Sequence, residues 1–230
     1  MSIFDSFLLA STVYNIIPSF WQRIFAKHVI RRIPNKNQIA LTFDDGPDSR
    51  YTYQLLETLA KHDVKTTFFV VAEKAAKNPN IIKMCQQCGH EIGLHSYNHT
   101  CQWFLTPKAT KNDIEKSIKI LQDIGVEPKF FRPPWGLFNI STRYYLKKYG
   151  LNAVYWSRHV YDWSKFNSAN YIRKALTKRI RGGDIVLLHD SSYAKEAPRR
   201  TIESIKDVIV DLKERGLEFV TLRESLAGYE

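Results

Sequence analysis

Hydrophobic positions along the chain follow two different periods, and stretches of each kind alternate. Apolar, β-branched or aromatic runs of four to six residues, bounded by turn residues, predict buried strands. Segments with apolar residues three and four positions apart predict helices with one buried face. The predicted strands are 38–43, 66–71, 91–94, 129–132, 153–156, 184–189 and 218–222, and the predicted helices are 51–62, 80–88, 112–124, 142–149, 169–180 and 198–215.

Strands and helices alternate about seven times in this reading. That pattern favours a parallel α/β fold over a sandwich or a helical bundle. A chain of 230 residues with 44% hydrophobic residues suits one domain with a sizeable core. Functional side chains of such folds gather beyond the carboxyl ends of the strands.

The first 35 residues differ from the rest of the chain. Residues 6–21 carry no charge and are rich in Phe, Leu, Ile and Val, but Asn15, Pro18 and their short length disfavour a membrane span. Asp5 precedes them without any Lys or Arg, so a standard secretory signal is not expected. Two interpretations stay open, a helix packed on the domain and a helix lying on a membrane surface.

Net charge and cysteine count limit the classes of binding partner and of cysteine chemistry that the chain can have. The net charge is +11, which suits nucleic acid, an anionic membrane or an acidic cell-wall polymer. The basic residues are scattered in pairs without a long run, so nucleic-acid binding is not expected. Cys85, Cys88 and Cys101 are too few for a disulfide framework. We interpret Cys85 and Cys88 as two thiols near a helix end, with a redox pair as the alternative.

Two acidic side chains follow the first predicted strand. Successive side chains of a strand point to opposite faces, so Asp44 and Asp45 can share a site only where the backbone bends. Gly46 and Pro47 supply that bend. The alternative is a surface turn, because Asp-Gly-Pro is common turn chemistry.

A histidine pair follows the third predicted strand. His95 and His99 are four residues apart, and on a helical turn both imidazoles would face one divalent metal ion. Two partly exposed histidines are the alternative. Two histidines and one carboxylate would leave positions open for water and substrate, which is typical of catalytic rather than structural zinc.

Three later segments also carry candidate chemistry. Arg132 precedes a stiff Pro-Pro turn and can pair with a carboxylate; the alternative is a rigid loop with an exposed Arg and a packed Trp. Residues 156–163 form an aromatic-rich stretch. The apolar run that begins at Ile185 ends in His189 and Asp190. A histidine there is either a core residue or, beside a carboxylate, a proton donor.

Five segments together resemble one known family. They are, in order, TFDDGP at 42–47, HSYNH at 95–99, RPPWG at 132–136, Asp162 with Trp163, and LLH at 187–189. Their residues and order resemble the NodB-homology polysaccharide deacetylases, carbohydrate esterase family 4, over residues 36–225. The resemblance implies a distorted, incomplete (β/α) barrel of about seven parallel strands, with residues 36–230 as the catalytic domain and residues 1–35 as an added segment.

The resemblance also implies residue roles. Asp44 would be the general base, held by Arg132, and His189 the general acid, tuned by Asp162. Asp45, His95 and His99 would bind the metal ion. The backbone N–H of Trp135 would stabilise the oxyanion, and Trp163 and Leu187 would line the acyl pocket. The expected ion is zinc, with cobalt or manganese possible.

One position departs from the family pattern. His159 stands where many relatives have a further Asp, three residues before Asp162; this bears on local hydrogen bonding and substrate preference. By analogy with the family, residues 102–110 are expected to shape the groove. The family usually acts at the cell surface or membrane, although no convincing cleavable signal is present. The sequence leaves the oligomeric state open.

The leading functional hypothesis is removal of N-acetyl groups from amino sugars of peptidoglycan, chitin-type oligomers or a surface glycan. A second hypothesis is deacylation or deformylation of a lipid-linked amino sugar, suggested by residues 6–21. That segment would then make peripheral contact with a membrane. A third is a glycan-binding domain with an inactive site, against which the intact candidate residues argue.

Overall fold

The central feature of the fold is a parallel sheet. The structure is a computed structural model that describes residues 5, 9, 11–26 and 29–227. Its strands are β1 (Gln38–Asp44), β2 (Thr67–Val70), β3 (Glu91–Leu94), β4 (Phe130–Phe131), β5 (Asn152–Ala153), β6 (Arg158–His159), β7 (Ile185–His189) and β8 (Glu218–Phe219). They follow the order β5-β4-β3-β2-β1-β7-β6, with β8 beside the start of β1, and every named strand pair is parallel. The predicted incomplete barrel of about seven parallel strands is confirmed.

Helices surround this sheet. They are α1 (Ile17–Ile24), continuous with a π-helical turn at Thr12–Ile16, then α2 (Thr52–Lys61), α3 (Ala72–Lys77), α4 (Pro79–Gln87), α5 (Pro107–Asp123), α6 (Ile140–Lys148), α7 (Ala169–Arg179), α8 (Ala197–Glu214) and α9 (Leu222–Leu226). Short 3₁₀ turns lie at Gln102–Phe104 and Pro134–Gly136. No helix among the described residues is both long and apolar enough to cross a membrane.

Several predicted elements differ in extent or were missed. The helix predicted at 112–124 begins five residues earlier, because Thr106 caps it by accepting a hydrogen bond from the Ala109 N–H. The strand predicted at 218–222 ends at Phe219, since Thr221 caps α9 instead. Helix α3, helix α9 and strand β6 were not predicted. Each has six residues or fewer, too short to show a period.

Strand register sets the level of the functional side chains. β1 lies between β2 and β7, and Asp44 at its carboxyl end pairs in register with His189 at the end of β7. Thr42, two residues earlier, pairs with Leu187. The last residues of these strands therefore meet at one edge of the sheet.

The N-terminal segment packs against the domain through polar contacts. The Ser19 hydroxyl donates to the carbonyl of Phe138 over 2.7 Å, and the Tyr14 hydroxyl donates to Ser141 over 2.9 Å. After α1 the chain joins the sheet, where Ile30 forms a parallel bridge to Val154. The described part of the segment is thus anchored at several points.

The cysteines are free thiols. Cys85 is buried in α4 and burial raises the pKa of its thiol, while Cys88 follows the last residue of that helix. A protonated, buried thiol is a poor nucleophile. The geometry thus agrees with two thiols near a helix end.

Candidate active site

The two acidic residues leave β1 through a tight turn. Asp44 is the last residue of β1, and Asp45 adopts a left-handed conformation with φ of 73°. The expected bend is therefore present. A Cβ atom on Gly46 would lie 2.4 Å from both carboxylate oxygens of Asp190, so only glycine fits there. Lys74 also holds the turn, because its ammonium group donates to the carbonyl of Asp45 over 2.8 Å.

The two histidines converge on Asp45, but not through the expected helical turn. Residues 95–101 form a loop in which Ser96 and His99 have φ of 66° and 63°. The loop is closed by the N–H of His99 donating to the Ser96 hydroxyl over 2.9 Å. The Nε2 atoms of His95 and His99 lie 3.3 and 3.0 Å from Oδ1 of Asp45. The helical-turn prediction is wrong, because a local hydrogen bond at left-handed positions replaces the helix.

The donor set of Asp45, His95 and His99 fits a divalent cation. Nδ1 of His95 lies 2.7 Å from the carbonyl oxygen of Arg132, which can only accept, so Nδ1 carries a proton and Nε2 is the nitrogen that faces Asp45. Oδ1 of Asp45 is buried and accepts no hydrogen bond. One ligand atom from each residue lies within 4.8 Å of the others. Such a set of nitrogen and carboxylate donors is typical of catalytic zinc sites.

The charge at Asp45 supports this assignment. Burial alone would raise the pKa of the Asp45 carboxyl. The imidazoles of His95 and His99 outweigh burial and hold that pKa well below its usual range. The carboxyl group is therefore ionised at neutral pH, as a cation site requires.

Arg132 clamps the neighbouring Asp44. One guanidinium nitrogen donates to Oδ1 of Asp44 over 2.6 Å and to the Thr42 hydroxyl over 2.7 Å. The other donates to the carbonyl of Tyr155 over 3.1 Å, and the guanidinium lies 4.1 Å from the ring centre of Phe69. Burial lowers the pKa of Arg132, and Asp44 opposes this effect. A fully buried cation is thus paired with a nearly buried carboxylate.

His189 is held by Asp162. Its backbone N–H donates to one carboxylate oxygen over 2.8 Å, and its Nδ1 lies 3.0 Å from the other. Thr201 donates a further hydrogen bond to Asp162 over 3.0 Å. Burial lowers the pKa of His189, but the charge and hydrogen bond of Asp162 outweigh it, with smaller contributions from Asp45 and Asp44, and raise the pKa to about 9. The imidazole is therefore protonated at neutral pH.

Asp44, His189 and the three candidate metal ligands face one cavity of about 720 Å³. Leu187 and Trp163 contribute to its wall, and the Trp135 ring packs on His99 with 4.4 Å between ring centres. His159 also faces the cavity, 4.4 Å from the Tyr161 ring. Arg132 and Asp162 do not line the cavity and instead hold the side chains that do. The predicted site residues are thus brought together.

Other residues at the cavity were missed by sequence reasoning. Arg23 reaches it from the segment at α1, and Lys165, Phe166 and Tyr193 reach it from loops. No local pattern distinguishes these residues, since they come from distant parts of the chain. The stretch at 102–110, expected to shape the groove, contributes none of the cavity's lining residues. Its Trp103 instead donates from Nε1 to the Ser19 hydroxyl over 2.6 Å.

Backbone conformation also marks the site. Among the described residues, six non-glycine residues have positive φ, and five of them belong to the loops of the cavity: Asp45, Ser96, His99, Trp135 and Tyr161. Such conformations are costly and persist only where the surrounding structure imposes them. Their clustering is a functional signal that short motifs do not show.

Comparisons with known proteins agree with this geometry. The family model for polysaccharide deacetylase matches residues 31–154. A Bacillus cereus peptidoglycan-N-acetylglucosamine deacetylase is 34% identical over 202 residues, covering 86% of this chain and 93% of the relative. The crystal structure of the Bc1960 peptidoglycan N-acetylglucosamine deacetylase superposes with a TM-score of 0.82 at 33% identity, covering 89% and 94% of the two chains. A family 4 carbohydrate esterase from Streptomyces lividans, bound to acetate, has a TM-score of 0.73 at 30% identity, covering 81% and 93%.

The chain belongs to the polysaccharide deacetylase family, that of the NodB-homology domain and carbohydrate esterase family 4. Its activity class is metal-dependent hydrolysis of N-acetyl groups on polysaccharide amino sugars. The alternative of a glycan-binding domain with an inactive site is set aside.

Proposed function

We propose that this enzyme removes acetyl groups from N-acetylglucosamine of peptidoglycan at the cell surface. The peptidoglycan N-acetylglucosamine deacetylases to which the chain is similar support this substrate, and the similarity covers 93% of the Bacillus cereus relative. The net charge of +11 adds weak support, because a basic surface attracts an anionic wall polymer. In this proposal residues 36–230 form the catalytic domain and residues 1–35 an added segment.

Asp45, His95 and His99 would hold the ion, and zinc suits their donors best, with cobalt or manganese as alternatives. A divalent ion bound there supplies Lewis-acid chemistry, polarising the amide carbonyl and acidifying water. The protonated Nδ1 of His95, fixed by the Arg132 carbonyl, keeps Nε2 directed at Asp45.

Asp44 and His189 divide the proton transfers. Asp44, held in place by Arg132, accepts the proton of the attacking water. The backbone N–H of Trp135 donates to the oxyanion of the tetrahedral intermediate. His189 then protonates the leaving sugar nitrogen, which would otherwise depart as a poor anionic leaving group. Asp162 holds His189 in its charged form.

Trp163 and Leu187 would enclose the acetyl methyl group. Both line the cavity, and Leu187 lies in register with Thr42, two residues before Asp44. A small apolar wall there would favour acetyl over longer acyl groups. His159, whose pKa is lowered by burial and by Arg23 and Arg179, would meet the substrate as a neutral side chain.

The observation that carries the proposal is the convergence of a clamped carboxylate, a metal-ligand triad and a protonated histidine on one cavity. The test is acetate release from peptidoglycan strands and chitin oligomers by protein of measured metal content. We expect Asp44→Asn to lower kcat by about 10²–10⁴-fold. The exposed Asp123→Asn variant serves as the matched control. Absence of acetate from every N-acetylated glycan, or full activity of Asp44→Asn, would reject the proposal.

A lipid-linked amino sugar is a second candidate substrate. It is favoured by large apolar side chains that α1 exposes, including Phe20 and Ile24, because Arg23 of the same helix lines the cavity. Parallel assays of acetate and formate release from a lipid-linked and a water-soluble amino sugar separate the two candidates. Faster release from the lipid-linked compound would identify it, in place of peptidoglycan, as the substrate.

A further inference from the structure

The helix at α1 is oriented opposite to most surface helices. Its buried positions are polar: Ser19 and Gln22 face the domain, as does Asn15 in the preceding turn. Apart from Arg23, its exposed positions are apolar. The outward face, together with Leu9 and Phe25 on either side, consists of Leu9, Val13, Ile16, Ile17, Phe20, Trp21, Ile24 and Phe25. We call these eight residues the apolar ridge.

The apolar ridge is open over its whole length. Its side chains are 44–61% exposed, and positions 9, 13, 16, 20 and 24 follow the three- and four-residue spacing of one helix face. A surface helix of a soluble domain normally turns such a face toward the core. A contiguous exposed apolar surface marks a site of interaction. The polar contacts of Ser19 and Tyr14 keep this face turned outward.

The charges around the ridge favour an anionic partner. Residues 1–35 contain one acidic residue, Asp5, and four basic ones, Arg23, Lys27, Arg31 and Arg32. Of these, Arg32 pairs with the buried Asp184, and Arg31 donates to backbone carbonyls at the end of α1. Within the described part of the chain, no carboxylate lies within salt-bridge distance of Arg23. The ridge also pairs Trp21 with Phe25, 5.1 Å between ring centres, and aromatic residues favour the interfacial region of a bilayer. Apolar and aromatic residues flanked by basic ones are typical of helices that lie in the plane of an anionic membrane.

We propose that the apolar ridge docks this enzyme on the surface of an anionic phospholipid bilayer. Arg23 connects the ridge to the catalytic cavity, because it follows Gln22 on α1 and lines that cavity. A docked helix therefore holds the cavity next to the bilayer surface. If the proposed function holds, the substrate is the N-acetylated glycan nearest to the membrane. The docking itself does not depend on that function.

The test is co-sedimentation of the full chain with vesicles of phosphatidylglycerol and phosphatidylcholine, compared with phosphatidylcholine alone. The ridge variant combines Phe20→Glu, Trp21→Glu and Ile24→Glu. Its control combines Tyr53→Glu, Met84→Glu and Val210→Glu, which are partly exposed positions elsewhere with the same change of charge. We expect the ridge variant to lower vesicle partitioning by at least about tenfold and the control to retain much more of it. Acetate release from a water-soluble oligomer should stay unchanged in both.

Three outcomes would overturn the docking. They are no sedimentation of the unaltered chain, equal loss in both variants, and equal binding to neutral and anionic vesicles. A fourth outcome comes from light scattering. If the unaltered chain is a dimer and the ridge variant is a monomer, the apolar ridge binds a second copy of the chain instead of a bilayer. Vesicle binding without acetate release from any glycan would reject the proposed function and leave the docking in place.

Discussion

Nδ1 of His95 donates a hydrogen bond to the backbone carbonyl of Arg132 over 2.7 Å, while the guanidinium of the same arginine donates to Asp44 over 2.6 Å. One residue, directly after β4, thus orients a candidate metal ligand through its backbone and holds the candidate base through its side chain. Displacement of this segment would therefore disturb metal binding and proton transfer together.

Loss of the Arg132 side chain is expected to destabilise the fold. Arg132→Met leaves the nearly buried Asp44 without its partner, and breaking a buried ion pair costs about 3–5 kcal/mol. Urea denaturation should show this loss in the free energy of unfolding. Arg143→Met, at an exposed position on α6, is the control and should change stability by less than about 0.5 kcal/mol. Similar stability of both variants would contradict the clamp.

The pH dependence of activity is expected to depend on Asp162. Burial lowers the pKa of His189, and Asp162 reverses this and raises the pKa to about 9, so the proton donor should be lost only above about pH 9. In Asp162→Asn burial is no longer outweighed, and the alkaline limb of kcat/KM should move to lower pH. Asp207→Asn on α8 is the control. An unchanged alkaline limb in Asp162→Asn would exclude His189 as the acid.

The pH dependence of folding stability is also expected to depend on His189. The folded-state pKa of His189 lies above the unfolded value of about 6.5, so its contribution is fully present below that pH. It is lost as pH rises through about 9. Denaturation curves between pH 6 and 10 should therefore show less pH dependence in His189→Gln than in the unaltered chain. Identical curves would contradict the raised pKa.

Metal removal is expected to lower thermal stability. Oδ1 of Asp45 is buried and accepts no hydrogen bond, so an ion bound there stabilises the folded state by about 2.7 kcal/mol at 100 times its dissociation constant. Chelation should lower the melting temperature, and zinc should restore it. His99→Ala should abolish most of that shift, whereas His62→Ala, outside the site, should keep it. A shift retained in His99→Ala would place the ion elsewhere.

Acyl selectivity tests the wall of the cavity. Leu187→Ala removes apolar bulk next to Thr42, so a propionyl substrate should gain on acetyl by about tenfold in relative kcat/KM. Leu176→Ala, buried in α7, controls for general destabilisation and should leave the ratio unchanged. Equal selectivity in all three proteins would remove Leu187 from the acyl pocket.

Sequence reasoning reached most of the site because its parts are coded locally. TFDDGP ends a strand in a turn, and such a turn lets both aspartates face one site wherever the strand lies in the sheet. The histidine pair was also found, although the wrong backbone was expected, since HxxxH spacing suits both a helical turn and the observed loop with Ser96 and His99 at positive φ. A loop stabilised by its own hydrogen bonds has no periodic signal.

The sequence by itself determined the parallel α/β class, because hydrophobic period is a local property. It also supplied the candidate metal ligands and, through the family resemblance, the candidate base and acid, because short motifs are local as well. Only the tertiary structure decided which distant groups meet. Strand register set Asp44 beside His189, and packing of α1 brought Arg23 to the cavity. The tertiary structure also decided that the apolar ridge faces outward. Residues 6–21 suit a packed and an exposed helix equally, and the contacts of Ser19 with Phe138 turn the polar face inward.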